Sequence, residues 1–123
     1  MSNLPLISVV DDDTSVRESL QCLIRSCGFA VEAFASAEEF LKSDHLPNTR
    51  CLILDVRMPG MNGLELQRLL AASHRKIPVI FITAHGDEAA RSHALKGGAV
   101  DYLFKPFREE VLLYAIHAAL NSR

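Results

Sequence analysis

Four short apolar runs in this chain each end on residues able to do chemistry. Cys51-Leu52-Ile53-Leu54 ends on Asp55, and the chain then breaks at Pro59-Gly60. Leu6 to Val10 runs into Asp11-Asp12-Asp13, Val79 to Ile82 into Thr83, and Tyr102-Leu103-Phe104 into Lys105-Pro106. A continuous apolar run of this length, bounded by turn residues, reads as a strand buried on both faces. If these strands are parallel, their polar ends gather on one edge of one sheet. Several carboxylates, a hydroxyl and an ammonium would then meet there.

The segments between the runs carry a helical period. Thr14 or Ser15 opens a helix to about Cys27, and Ser15 with Glu18 fits a capping box. Val16, Leu20, Leu23, Ile24 and Cys27 form its buried stripe, and Gly28 stops it. Ala30 to Phe34 is a further strand, placed near a sheet edge because Glu32 interrupts it. Ser36 with Glu39 opens a short helix through Leu41, and His45 to Arg50 is a polar connection. A helix follows near Gly63 with Leu64, Leu66, Leu69 and Leu70 on its apolar side. Asp87 caps the next, which ends at Gly97-Gly98, and the last runs from Arg108 to about Ala119. Strand and helix alternate about five times, which predicts an α/β fold with a parallel sheet and helices on both faces.

The chain of 123 residues suits one domain, expected over residues 1–123. A content of 49% hydrophobic and 23% charged residues predicts a soluble globule. The formal charge of -2 argues against direct nucleic-acid binding by this domain. No apolar run is long enough for a bilayer, and the first residues lack the basic and apolar stretches of a signal peptide. Cys22, Cys27 and Cys51 are odd in number, with no paired spacing. They are expected to be reduced, mostly buried thiols of a cytoplasmic protein.

Three successive acids cannot cradle a phosphate by themselves, since a phosphate loop is glycine-rich and offers backbone N–H groups. Neighbouring carboxylates repel by up to roughly 4 kcal/mol per pair at about 4 Å and an effective dielectric near 20. A hard cation relieves this. Mg²⁺ prefers one or a few carboxylates with waters and phosphate oxygens. Asp11, Asp12 and Asp55 therefore read as a Mg²⁺ site that admits a phosphoryl group. Asp55 is the candidate nucleophile, since carboxylates can form aspartyl phosphates. Lys105 and the Thr83 hydroxyl can each bond a phosphoryl oxygen. The bland reading, a solvated acidic helix start, does not account for Asp55, Thr83 and Lys105 at matching strand ends.

These residues carry a resemblance. Asp11-Asp12, Asp55-Val56-Arg57-Met58-Pro59-Gly60-Met61-Asn62-Gly63, Thr83-Ala84 and Lys105-Pro106-Phe107 are similar to the receiver domain of two-component response regulators. His85-Gly86-Asp87 and Gly98-Ala99-Val100-Asp101-Tyr102 resemble the FixJ type, and the likeness covers nearly the whole chain. It implies a doubly wound, flavodoxin-like sheet of five strands in the order 2-1-3-4-5, flanked by five helices. It implies that Asp55 accepts a phosphoryl group from the histidine of a sensor kinase. Asp12 and Asp55 would ligate Mg²⁺ directly, with Asp11 near or through water and the Arg57 carbonyl as a further ligand. Lys105 would contact the phosphoryl group, Thr83 and Tyr102 would form a switch pair, and the Lys105–Pro106 bond would be cis. The response would appear on the fourth helix, last strand and last helix, the face from Asp87 through Tyr102 and beyond. The implied role is a switch controlling an output such as transcription, assisting only its own phosphorylation and dephosphorylation. A homodimer on phosphorylation and a LuxR-type DNA-binding domain outside these residues are the further partners it suggests. Ser92 and His93 place polar groups on the helix that FixJ-type domains use for dimer contacts.

Arg57 and His85 lie two residues beyond Asp55 and Thr83, positions that overhang the phosphoryl group in receivers like this one. Neither supplies the carboxylate or amide best suited to orient an attacking water, so a slowly decaying phosphoform is expected. Two enzyme-like or cofactor readings fail on particular residues. An Asp-nucleophile phosphatase places its acid two residues after the nucleophile, where this chain has Arg57. A flavodoxin-like FMN module needs its phosphate loop where Asp11 to Thr14 stand. A receiver acting as a phosphorylation-independent interaction module is the nearest alternative.

Overall fold

The alternating periods resolve into five parallel strands in the order β2-β1-β3-β4-β5 in a computed structural model. It describes residues 4–84 and 88–121. The elements are β1 (Leu6–Val10), α1 (Thr14–Ser26), β2 (Ala30–Phe34), α2 (Ala37–Lys42) and β3 (Thr49–Asp55). They continue with α3 (Gly63–Ala72), β4 (Val79–Thr83), α4 (Glu88–Lys96), β5 (Asp101–Phe104) and α5 (Glu109–Asn121). The α/β class, the strand order and the five helices expected from the resemblance are all present.

Handedness then distributes the helices. From β1 the chain steps one way to β2, and afterwards always the other way. Right-handed crossovers put α1 on one face and α2, α3 and α4 on the other. Two cores follow. Leu20 and Ile24 of α1 join Leu112, Ala115 and Ile116 of α5 over Ile7, Val9, Ile53 and Ile80. Phe40, Leu66, Leu70 and Ala94 cover Val10, Leu52, Leu54 and Phe81 on the other face. Residues 51–55 are buried without a break because β3 is central and covered on both sides. At the sheet edge β2 is only partly buried.

Some local expectations change. α1 opens at Thr14, as expected, but Asp13 and not Ser15 caps it, its side chain accepting from the amides of Ser15 and Val16. Ser36 caps α2 as expected, accepting from Glu39 N, but Glu39 returns to Ala35 N and not to Ser36. The polar connection from His45 is shorter than read: Leu46–Asn48 form a single 3₁₀ turn, and Thr49 and Arg50 already belong to β3. Thr49 is drawn in by a buried bond between its hydroxyl and that of Ser8, at 2.7 Å. The cysteines are free, but Cys22 and Cys27 are exposed and only Cys51 is buried. Burial pushes the Cys51 thiol up to about 12, which leaves it inert. Asp87, expected to cap α4, lies outside the described residues. Among the described residues no helix is long and apolar enough to cross a membrane.

Candidate functional site

Register carries the strand ends to one edge. Val10 lies beside Leu54, so the acids that follow β1 stand level with Asp55. Asp55 lies beside Ile82 and Thr83 beside Phe104, which brings Thr83 and Lys105 to the same edge. The edge is crossed by a topological switch point, because α1 leaves β1 on one face and α3 leaves β3 on the other.

Each of the three consecutive acids has a different task. Asp11 is fully buried and both its oxygens are engaged: Oδ1 accepts from Asp13 N at 2.9 Å, and Oδ2 accepts from Lys105 Nζ at 2.8 Å. Its carbonyl accepts from Arg17 Nη1 at 2.8 Å. Asp12 is exposed. Asp13 is spent on the α1 cap. Carboxylate oxygens of Asp11, Asp12 and Asp55 lie within 4.8 Å of one another, which fits one shared cation.

Asp55 is the last residue of β3 and is 6% exposed. Its Oδ1 accepts from Arg57 N at 3.4 Å, and its Oδ2 lies 4.0 Å from Lys105 Nζ. Burial and then the charge of Asp11 raise its pKa to about 6; Lys105 and the Arg57 amide pull the other way, and Asp12 adds least. The expected strain among the acids is therefore uneven. At Asp55 the buried Asp11 contributes more of it than the exposed Asp12.

Gly63 lets α3 start directly against this carboxylate's backbone. A Cβ there would collide with the Asp55 carbonyl oxygen, a backbone atom that cannot turn aside. Asn62 caps the helix in a full box: it accepts from Glu65 N at 2.9 Å, and Glu65 accepts from Asn62 N at 2.8 Å. The Asn62-x-x-Glu65 spacing is a helix-start signal that the sequence reading passed over, since the motif around Asp55 stops at Gly63.

Thr83 is fully buried at the end of β4, and its carbonyl accepts from Lys105 N at 2.7 Å. The Lys105–Pro106 bond is cis, as expected. Tyr102 is 5% exposed, with its ring 6.0 Å from Phe81 and 5.5 Å from Phe104. The ring thus already occupies the interior. It borders a groove whose other walls include Met58, Pro59 and Leu64. Arg57 is exposed just beyond Asp55, whereas His85 lies outside the described residues. Asp11, Asp12, Asp55, Thr83 and Lys105 thus meet at one edge, with Tyr102 beneath.

The model of the response regulator receiver domain matches residues 7–117. The response regulator protein TodT of Pseudomonas putida is 52% identical over 116 residues, covering 94% of this chain and 51% of that protein. The solved structure of the response regulator StyR superposes with a TM-score of 0.88 at 52% identity, over 95% of this chain and 59% of that one. FixJ-N superposes with a TM-score of 0.87 at 41% identity, over 100% of this chain and 98% of that one. The chain spans about half the length of the curated relatives it matches.

Proposed function

The chain belongs to the receiver family of response regulators, FixJ type, and from that membership we propose that Asp55 is its phosphoacceptor within a Mg²⁺-dependent signalling switch. The observation that carries the reading is the meeting of the Asp11, Asp12 and Asp55 carboxylates with Lys105 at the strand ends. A carboxylate oxygen of Asp55 attacks the phosphorus of a phosphohistidine on a sensor kinase. The new O–P bond forms as the P–N bond breaks, and the imidazole leaves with the electron pair and takes up a proton. Asp11, Asp12 and Asp55 would hold the Mg²⁺, with the Arg57 carbonyl as a further ligand. Bound there, the ion would neutralise the acids and the phosphoryl oxygens during transfer.

Lys105 stands between Asp11 and Asp55, so its ammonium can turn from one carboxylate toward a phosphoryl oxygen without crossing open solvent. Thr83 supplies a hydroxyl from β4. The inward Tyr102 would follow Thr83 and bias the face made by α4, β5 and α5 through contacts that differ between the two states. The chain catalyses nothing beyond gaining and losing its own phosphoryl group. TodT is a response regulator protein and FixJ a transcriptional regulatory protein, which supports an output at transcription through a DNA-binding domain outside this chain. The acidic, compact domain would act in the cytoplasm.

Incubation with a small phosphodonor and Mg²⁺ tests this by intact mass. The chain should gain one phosphoryl group, EDTA should suppress the gain, and Asp55→Asn should abolish it. A gain retained in Asp55→Asn would overturn the assignment.

A further inference from the structure

The loop from β3 to α3 is gripped by an element outside the site. Glu38 of α2 accepts a hydrogen bond from Met61 N at Oε2, 3.1 Å away and 23 residues distant in sequence. That helix is short, but it is a firm support. Ala37 and Phe40 are fully buried, and Ser36 caps it. Beside Met61, Gly60 has a φ of 73°, and a Cβ there would come within 2.9 Å of the same Glu38 oxygen. The carboxylate therefore lies against the tightest point of the loop. Hydrogen bonds from its own amide and then from Met61 hold it below the usual carboxylate range, with Lys42 helping, so it is ionised at neutral pH. At the other end of the stretch, Arg57 N rests on Asp55 Oδ1. Residues 57–61 are thus strung between the phosphoacceptor carboxylate and Glu38.

We propose that Glu38 is a positioning residue for the acidic site, fixing the 57–61 loop and, through it, the Arg57 peptide group that serves the Mg²⁺ site. This rests on the reading of Asp11, Asp12 and Asp55 as that site. Glu38 touches neither the ion nor the phosphoryl group. Its neighbour Glu39 offers a contrast, since it bonds Ala35 N and serves only the start of its own helix.

The test compares the parent chain with Glu38→Ala, Glu38→Gln and Glu39→Ala by amide NMR, first in EDTA and then through a Mg²⁺ titration. In EDTA, Glu38→Ala should shift the Arg57 and Met61 amides and speed hydrogen exchange at Met61. Its Mg²⁺ Kd should rise about threefold to tenfold, up to the lower bound of what a direct outer-shell partner contributes, since Glu38 acts one step further out. Glu38→Gln keeps an acceptor oxygen and should recover most of that loss, while Glu39→Ala should match the parent. An unchanged Kd in Glu38→Ala beside normal binding by the parent overturns the positioning role alone. An equal loss in Glu39→Ala overturns it too, by reducing it to helix stability. Absence of Mg²⁺ binding by the parent overturns the site reading and the proposal with it.

Discussion

Asp55 is a carboxylate kept in a place that disfavours its charge. Its folded pKa of about 6 lies above the ordinary 3.8, so the folded chain holds this proton more tightly than the unfolded one. Stability from this group is greatest below about pH 4 and is lost as pH rises to about 6, the reverse of an ordinary paired acid. In EDTA, the parent should lose up to about 3 kcal/mol across that window relative to Asp55→Asn, by calorimetry at each pH. Superimposable pH profiles would show that Asp55 is relaxed. Added Mg²⁺ should close the gap at neutral pH. Arg57 offers a second test at this scale. It is exposed, cannot act as a base, and follows Asp55 by two residues. Arg57→Asn should speed autodephosphorylation several-fold in excess Mg²⁺, and His85→Glu added to it should speed it further. Equal or slower decay would refute shielding by these side chains.

The strands were legible because burial on both faces leaves short continuous apolar runs that flanking turn residues set apart from helices, and each of the five ended within one residue of its expected place. The starts of α2 and α3 were legible too, but the cap of α1 was not, because Asp13, Thr14 and Ser15 all suit one and only the backbone decides between them. The structure chooses Asp13. Ser15→Ala should therefore leave the melting temperature within error, whereas Asp13→Ala and Asn62→Ala should each cost about 1 kcal/mol, or about 4 °C. A loss in Ser15→Ala equal to that in Asp13→Ala would restore the sequence reading. Cys27 was misplaced because it keeps the period of Leu20 and Ile24 while standing beyond the helix: α1 ends at Ser26, and Cys27 is its exposed C-cap. Glu38 was invisible for another reason, since a contact across 23 residues leaves no local pattern.

At the scale of the molecule, one edge gathers the chemistry and one flank carries much of the exposed apolar surface. Leu95, Phe104, Val111 and Tyr114 are large apolar side chains exposed on α4, β5 and α5, with Tyr114 77% accessible. Tyr102 lies just inside that flank, against Phe104. The acidic edge could be foreseen from strand ends alone, because parallel strands must deliver their ends together. The exposed flank follows from the helical wheel of α5 instead: Val111 and Tyr114 fall off the buried stripe of Leu112, Ala115, Ile116 and Ala119, with Tyr114 on the far side of the helix. Exposed apolar side chains on adjoining elements can serve association where they form one patch. A phosphoryl group on Asp55 should act on it through Thr83 and Tyr102, which stand between the edge and the flank. Beryllofluoride with Mg²⁺ should then move amide shifts throughout α4, β5 and α5 and raise the dimer fraction in sedimentation. Phe104→Ser and Tyr114→Ser should each lower that fraction while leaving phosphorylation of Asp55 intact, since neither residue reaches the acids. Shift changes confined to the loops around Asp55 would break the link from site to flank. Spreading changes without a dimer would keep the switch and assign the flank to another partner.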